Sequence, residues 1–242
     1  MVIRIKSDED TFFASRKNET FLVEADTDLV FLNDTIGIQA AGNVGGRTIR
    51  IDGSISAPVA GSNAIQMEPS TAKAERIIIG ETGSVTGTIG GIATGSAGKI
   101  YIRVDGTVEG GFSAIALSTD SANVTNNGTI EGGTIAALTM SNGSLTLRNA
   151  GQIISSGLST INIGGFATES TIINSGSIEH VGSGNAIIVT HGTFSLANTG
   201  IVIAEDSLPI FLDGTSGAGK GTIVNDGAIF GDVDAIFARG AA

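Results

Sequence analysis

"LRNAGQIISSGLSTINI", residues 147–163, decides the fold. Leu147 stands four residues before Gly151, Asn149 two before it and Ile153 two after it. Ile161 and Ile163 follow, separated by the two-residue step of a β-strand. The cadence returns along the chain. A glycine recurs at 53, 83, 106, 128, 151, 176, 200 and 227. Four residues before it sits an Ile, Val or Leu every time, from Ile49 to Ile223, and two residues after it an Ile or Val, from Ile55 to Ile229. About ten residues later comes a second apolar pair, as in Ile65/Met67, Ile115/Leu117, Leu138/Met140, Ile187/Val189 and Ile210/Leu212.

A period in this range marks a repeat architecture. Each repeat holds three short strands and three corners, which makes one coil of a parallel β-helix whose coils stack at roughly 4.8 Å. One coil cannot bury its own apolar row, but a stack buries a continuous one. The spacing therefore predicts an all-β protein, a right-handed parallel β-helix of about eight to nine coils.

The residue two before the glycine is Asn126, Asn149, Asn174, Asn198 and Asn225 in the last five coils. Stacked amides hydrogen-bond from rung to rung, so a structural Asn ladder is expected. Asn and Gly both tolerate the left-handed backbone region, and a tight corner is expected to use it. Glycine also lets backbones approach closely. The corner before the second pair varies ("APVAGSN", "GGFS", "HVGSGN"), as loops leaving one edge of a solenoid do. Arg50/Asp52 and Arg103/Asp105 are expected as solvated ion pairs, each contributing under about 1 kcal/mol.

Composition agrees with this reading. The 242 residues include 36 Gly but only 3 Pro, and 41% are apolar, too apolar for a disordered linker. Many are Ile, Val and Thr, which suit strands. The net charge of -11 repels phosphate backbones and argues against nucleic-acid binding. No cysteine is present for a disulfide or thiolate metal site. The start, "MVIRIKSDED", has no signal-peptide apolar core, and no stretch is long and apolar enough for a membrane helix.

Residues 1–46 are expected to form an N-terminal cap and an irregular first coil, with Ile36 and Ile38 matching Ile65 and Met67, and residues 47–242 the regular coils. The first 46 residues hold eight of the 24 acids, including Asp8, Glu9, Asp10 and Asp34, which read as a charged cap surface or a cation site. The ending "AIFARGAA" shows no cap, so a fragment, a continuing solenoid or end-to-end self-association is expected.

Chemistry is harder to find. "DGTSGAGKGT" (213–222) carries Gly214, Gly219 and Lys220 at P-loop spacing. Gly221 follows the lysine where Ser or Thr is needed, and a strand pattern follows where a helix is needed, so no nucleotide site is expected. His180 and His191 read as surface-turn histidines without a third ligand. Glycosidic cleavage needs converging carboxylates, and Glu205, Asp206, Asp213, Asp226, Asp232 and Asp234 are the candidates. They sit at different repeat positions and lack aromatic platforms such as Trp. The same oxygens are the kind Ca²⁺ takes, and calcium is the one cofactor considered. No calcium-binding nonapeptide repeat occurs.

The cadence, most regular from Gly106 to Ala238, resembles the β-helical regions of bacterial secreted and surface proteins, among them autotransporter passengers and haemolysin-type calcium-binding proteins. The resemblance implies export and a role in adhesion or matrix building, with a cell-surface glycan, matrix or another protein as partner. A non-enzymatic scaffold or binding surface is the expected function. A polysaccharide lyase or glycoside hydrolase and a self-assembling structural solenoid are the alternatives.

Overall fold

The computed structural model of the chain describes residues 2–5, 11–33, 35–41, 45–71, 73–95, 97–214 and 218–240. Every regular element among them is a β-strand, and every strand pairing is parallel. The strands wind into a three-sided solenoid. The first face holds strands that run up to the repeated glycine corner, such as Thr48–Ile51, Lys99–Val104 and Ala218–Asn225. The second face holds the strands after it, from Asp28–Val30 to Ala228–Gly231, nine in all and hence nine turns. The third face runs from Phe12–Phe13 through Asn63–Met67 to Ile236–Gly240. Three long strands, Ser113–Asn126, Ala136–Asn149 and Ser159–Asn174, run through the third face into the first and join them in one sheet.

The apolar positions of the repeat coincide in register. Ile55, Val85, Val108, Ile130, Ile153, Ile178, Val202 and Ile229 stack on the second face, and Ile65, Ile92, Ile115, Leu138, Ile161, Ile187 and Ile210 on the third. All but Ile229, which is partly buried against its end, belong to one buried core running from Ile5 to Ile210. Burying each such side chain stabilises the fold by roughly 1.5–3 kcal/mol.

Two expected alignments are corrected. Glu81 stands two before Gly83, the place Asn126 holds in its coil, but register sets Ile77 and Ile79 beside Ile49 and Ile51, so Glu81 is an exposed corner residue and not the counterpart of Asn126. That corner, Gly80–Gly83, is two residues longer than its neighbours. Likewise Ile38 and Ala40, rather than Ile36 and Ile38, lie beside Ile65 and Met67. Thr20–Val23, Asp28–Val30 and Ile36–Ala40, inside the expected cap segment, join the same three faces as the later coils. Asp8, Glu9, Asp10 and Asp34 lie outside the described residues.

The corners are also corrected. None of the eight repeat glycines has positive φ, and among the described non-glycine residues only Asn18 does, at 54°. What demands glycine is backbone approach. A Cβ at Gly128 would lie within 3.0 Å of the Gly106 carbonyl oxygen, and Gly151, Gly176, Gly200 and Gly227 each meet the preceding glycine's oxygen in the same way. Those oxygens accept backbone hydrogen bonds from the next rung, as Gly106 does from the Thr129 N–H at 2.9 Å.

Beside this stack the Asn ladder forms. The Nδ2 of Asn126, Asn149, Asn174 and Asn198 donates to the Oδ1 of Asn149, Asn174, Asn198 and Asn225 at 2.7, 2.8, 2.7 and 2.7 Å. The first three donors also reach backbone oxygens of Gln152, Ser177 and Ile201. Asn126 to Asn198 are buried, while Asn225 is exposed. Lower in the stack Arg47 and Glu75 form a fully buried ion pair. Arg47 Nη2 lies 3.0 Å from Glu75 Oε1, and Arg47 Nη1 donates to the carbonyls of Ala14 and Ala41. The pair ties the first coils to the rest.

Asn174→Ala strands buried partners on both sides and is expected to destabilise by about 2–4 kcal/mol, whereas Asn225→Ala at the exposed end costs under about 1 kcal/mol. Thermal melting of the two variants checks this contrast. Glu75→Ala leaves a buried guanidinium unpaired and is expected to cost about 3–5 kcal/mol in chemical denaturation.

Candidate functional site: the outer faces of the solenoid

Alternate residues of each strand point outward, so register turns sequence spacing into straight surface rows. On the first face one row runs Arg4, Leu22, Arg50, Ile78, Arg103, Thr125, Arg148, Ile173, Ala197 and Val224, one residue per rung. Arginine occupies every second rung up to Arg148. Arg50, Ile78 and Arg103 line a groove of about 700 Å³ together with corner residues that include Asp52, Glu81 and Asp105.

The electrostatics of this groove are local. Arg50 Nε lies 2.7 Å from Asp52 Oδ2, and Arg103 Nε lies 2.7 Å from Asp105 Oδ2, as expected from their spacing. The Asp52 hydrogen bond and charge raise the Arg50 guanidinium above its ordinary value. Burial opposes ionisation of Asp105, but the Asn127 hydrogen bond and the bond and charge of Arg103 outweigh it and hold the carboxyl below its usual range. Arg76 stacks on Tyr101 at 5.5 Å. Arg148 is exposed and makes no ion pair among the described residues.

On the second face the matching row is Val30, Ser56, Thr86, Glu109, Glu131, Ile154, Glu179, Ile203 and Phe230. Glu109 and Glu131 flank a groove of about 430 Å³ that Gly110 and Gly132 also line. Thr86 Oγ1 donates to Glu109 at 3.5 Å and Gln152 Nε2 to Glu179 at 3.3 Å. Outward positions of the third face are uncharged over most of its length. At its end Phe211 and Phe237 stack in parallel at 5.7 Å, with Arg239 over Phe211 and bonded to Asp213 at 2.6 Å.

Of the six candidate acids, four share one corner of two successive rungs and two lie elsewhere. Glu205 and Asp206 lie in the corner after Ile201–Ala204, and Asp232 and Asp234 in the corresponding corner of the next rung, all exposed. Asp226 sits between Asn225 and Gly227 at another corner. Asp213 is buried on the third face and held by Arg239. Among the described residues no group of three or more His, Asp or Glu is placed to hold a metal ion. Gly219, Lys220 and Gly221 fall within the strand Ala218–Asn225, and residues 215–217 of the P-loop-like stretch lie outside the described residues.

His180 corrects another expectation. It is fully buried at the end of Ser177–His180, on the inward row between Ser155 and Ala204. Its Nδ1 is 3.4 Å from Thr160 Oγ1, and its Nε2 has no partner. Burial lowers its pKa from the ordinary 6.5. His191 is half-buried, with Nδ1 3.1 Å from Thr190 Oγ1.

The outward rows of Arg and Glu and the Phe211/Phe237 pair are the features that repeat reading missed. The Arg and Glu rows occupy fixed offsets, three residues before and three after most corner glycines, and Phe211 and Phe237 the middle position of the second apolar pair.

The fold and these faces define the class: a parallel β-solenoid whose outer surfaces are rung-spaced rows. Compared with protein-family models, curated proteins and solved structures, the chain finds no match.

Because the unfolded chain binds a proton at His180 more readily than the folded one, stability is expected to fall as pH drops below about 6.5 towards the lowered folded value. His180→Gln should flatten that stretch of the pH–stability curve measured by denaturant titration.

Proposed function

We propose that the protein is a rigid, non-enzymatic scaffold outside the cell, whose faces bind a cell-surface or matrix glycan. The observation that carries this reading is the continuous register of the nine second-face strands, which makes a rod roughly 40 Å long with outward side chains held in straight rows, the register shifts lying at the corner between the third and first faces. A backbone locked at every rung loses little entropy when an extended partner lies along it. The parallel Phe211/Phe237 rings, flanked by Asp213 and Arg239, support glycan contact: an apolar platform beside polar hydrogen-bonding groups.

The test presents the purified chain with a panel of neutral and acidic polysaccharides and follows binding by calorimetry and new reducing ends by colorimetry. Binding without release of reducing ends is expected, and Phe237→Ala should weaken it by up to about tenfold. New reducing ends would make the protein an enzyme and overturn the scaffold reading. Loss of binding across the whole panel would remove the glycan as partner.

A further inference from the structure

The protein has a net charge of -11, yet its charges are sorted by face. Among the described residues, outward positions of the first-face strands carry Arg4, Arg50, Arg76, Lys99, Arg103 and Arg148 against the single carboxylate of Glu169. Strands of the second face carry Asp28, Glu109, Glu131 and Glu179 and no Lys or Arg. Outward strand positions are thus mainly cationic on one face and anionic on another, although corner carboxylates Glu24, Asp52 and Asp105 pair Arg4, Arg50 and Arg103 and leave Arg148 as the cation of its row without an ion pair among the described residues.

The two rows also match in period. Arg103, Thr125 and Arg148 occupy three successive rungs, cation, neutral, cation. Glu131, Ile154 and Glu179 occupy three successive rungs, anion, aliphatic, anion. Both spacings are two strand separations, roughly 10 Å, because both rows belong to parallel sheets of one solenoid. Beyond the charged rungs both rows turn apolar in the same direction. Arg148 is followed by Ile173 and Ala197, and Glu179 by Ile203 and Phe230, which is 57% exposed.

We propose that the occupant of each face is a second copy of this chain. The first face of one copy lies against the second face of the next, axes parallel and offset by one rung. Arg103 then meets Glu131, Thr125 meets Ile154, and Arg148 meets Glu179. Ile173 covers Ile203, and Ala197 covers the Phe230 ring. Arg148 brings a guanidinium with no ion pair of its own. Arg103, 60% exposed, keeps Asp105 on one edge and presents the other. Within these two rows no like charges are opposed. The contact joins two different surfaces, so each added copy leaves one basic and one acidic face free, and the assembly stays open rather than closing as a two-fold dimer. The scaffold reading gains a named partner here, and the association assay contains no glycan, so either can fail without the other.

Sedimentation velocity and light scattering on the wild-type chain test this. At low ionic strength the mass is expected to rise with concentration above that of one chain, 24.3 kDa, and to return to it in about 1 M salt, where the Debye length is about 3 Å. Arg103→Glu/Arg148→Glu has two acidic faces and Glu131→Lys/Glu179→Lys two basic ones. Each alone is expected to stay monomeric, and mixing them to restore association. The neutral pair Arg103→Gln/Arg148→Gln should lose association on its own and, mixed with Glu131→Lys/Glu179→Lys, should form only a one-to-one pair through its intact acidic face; it serves if a charge reversal fails to fold. A wild-type chain that stays monomeric at low salt and high concentration would overturn the proposal, as would reversal variants that associate like wild type. A monomer that instead binds dextran sulfate would assign the basic row to a polyanion and also overturn it.

Discussion

The close approach of backbone to backbone at the corner glycine governs the rest of the molecule. At Gly128, Gly151, Gly176 and Gly200 no space exists for a Cβ, because the preceding rung's glycine oxygen occupies it. The same oxygens accept hydrogen bonds from the next second-face strand, as Gly128 does from Gln152 at 2.9 Å. The corner therefore fixes the distance between rungs and the phase of one rung on the next. A side chain two residues before the glycine then recurs at strand spacing, which is what allows amides at 126, 149, 174, 198 and 225 to meet at 2.7–2.8 Å. With a looser corner the amides would fall out of contact, and their burial would cost more than apolar residues at the same sites.

The inner slot beside that corner has two solutions, and the chain uses both. In the earlier turns Ile51, Ile79 and Val104 fill it. From Asn126 onward the amides fill it. All the ladder bonds donate in one direction, toward the C-terminal turns, so the amide dipoles add along the column and reinforce one another. At the junction Val104 offers no donor, and Asn126 Oδ1 has no partner. An apolar slot needs only volume, whereas an amide slot needs a neighbour of the same kind, so a boundary between them leaves one group unpaired.

Most of the core could be read directly from the chain, because a repeat states its inner positions many times over. The residues two after the glycine and the second apolar pair all fall in register. Errors arose where a corner changed length without losing its glycine. Counting back from Gly83 set Glu81 in the inner slot, although the corner had absorbed two extra residues and Ile79 held that place. His180 begins the variable corner "HVGSGN" by sequence, but the strand reaches one residue further and turns the imidazole inward. The acids of the last two coils were grouped because they are near in the chain. Glu205 and Asp206 do stack near Asp232 and Asp234 at one corner, but Asp213 and Asp226 lie on other sides of the prism and share no face. Outward rows went unread for the opposite reason: a position that carries Arg, Ile, Arg, Thr and Arg in turn shows no shared residue type, though it shows a regular alternation.

Separating inner from outer positions has a consequence for how such a surface recognises anything. Arg103 and Glu109 flank the same corner glycine, Gly106, yet they face away on different sides of the prism, so opposite charges are sorted onto different faces by nothing more than offset from the corner. Net charge then describes no face. At physiological salt the Debye length is about 8 Å, slightly less than the roughly 10 Å between alternate rungs. Each guanidinium on the first face is therefore felt largely alone, and a partner gains from several of them only if its own charges repeat at the same interval. A diffuse polyanion meets this row one contact at a time, whereas another parallel sheet, built on the same rung spacing, meets every contact together. The constraint that sets the glycine corner thus also sets the interval at which the surface can be matched.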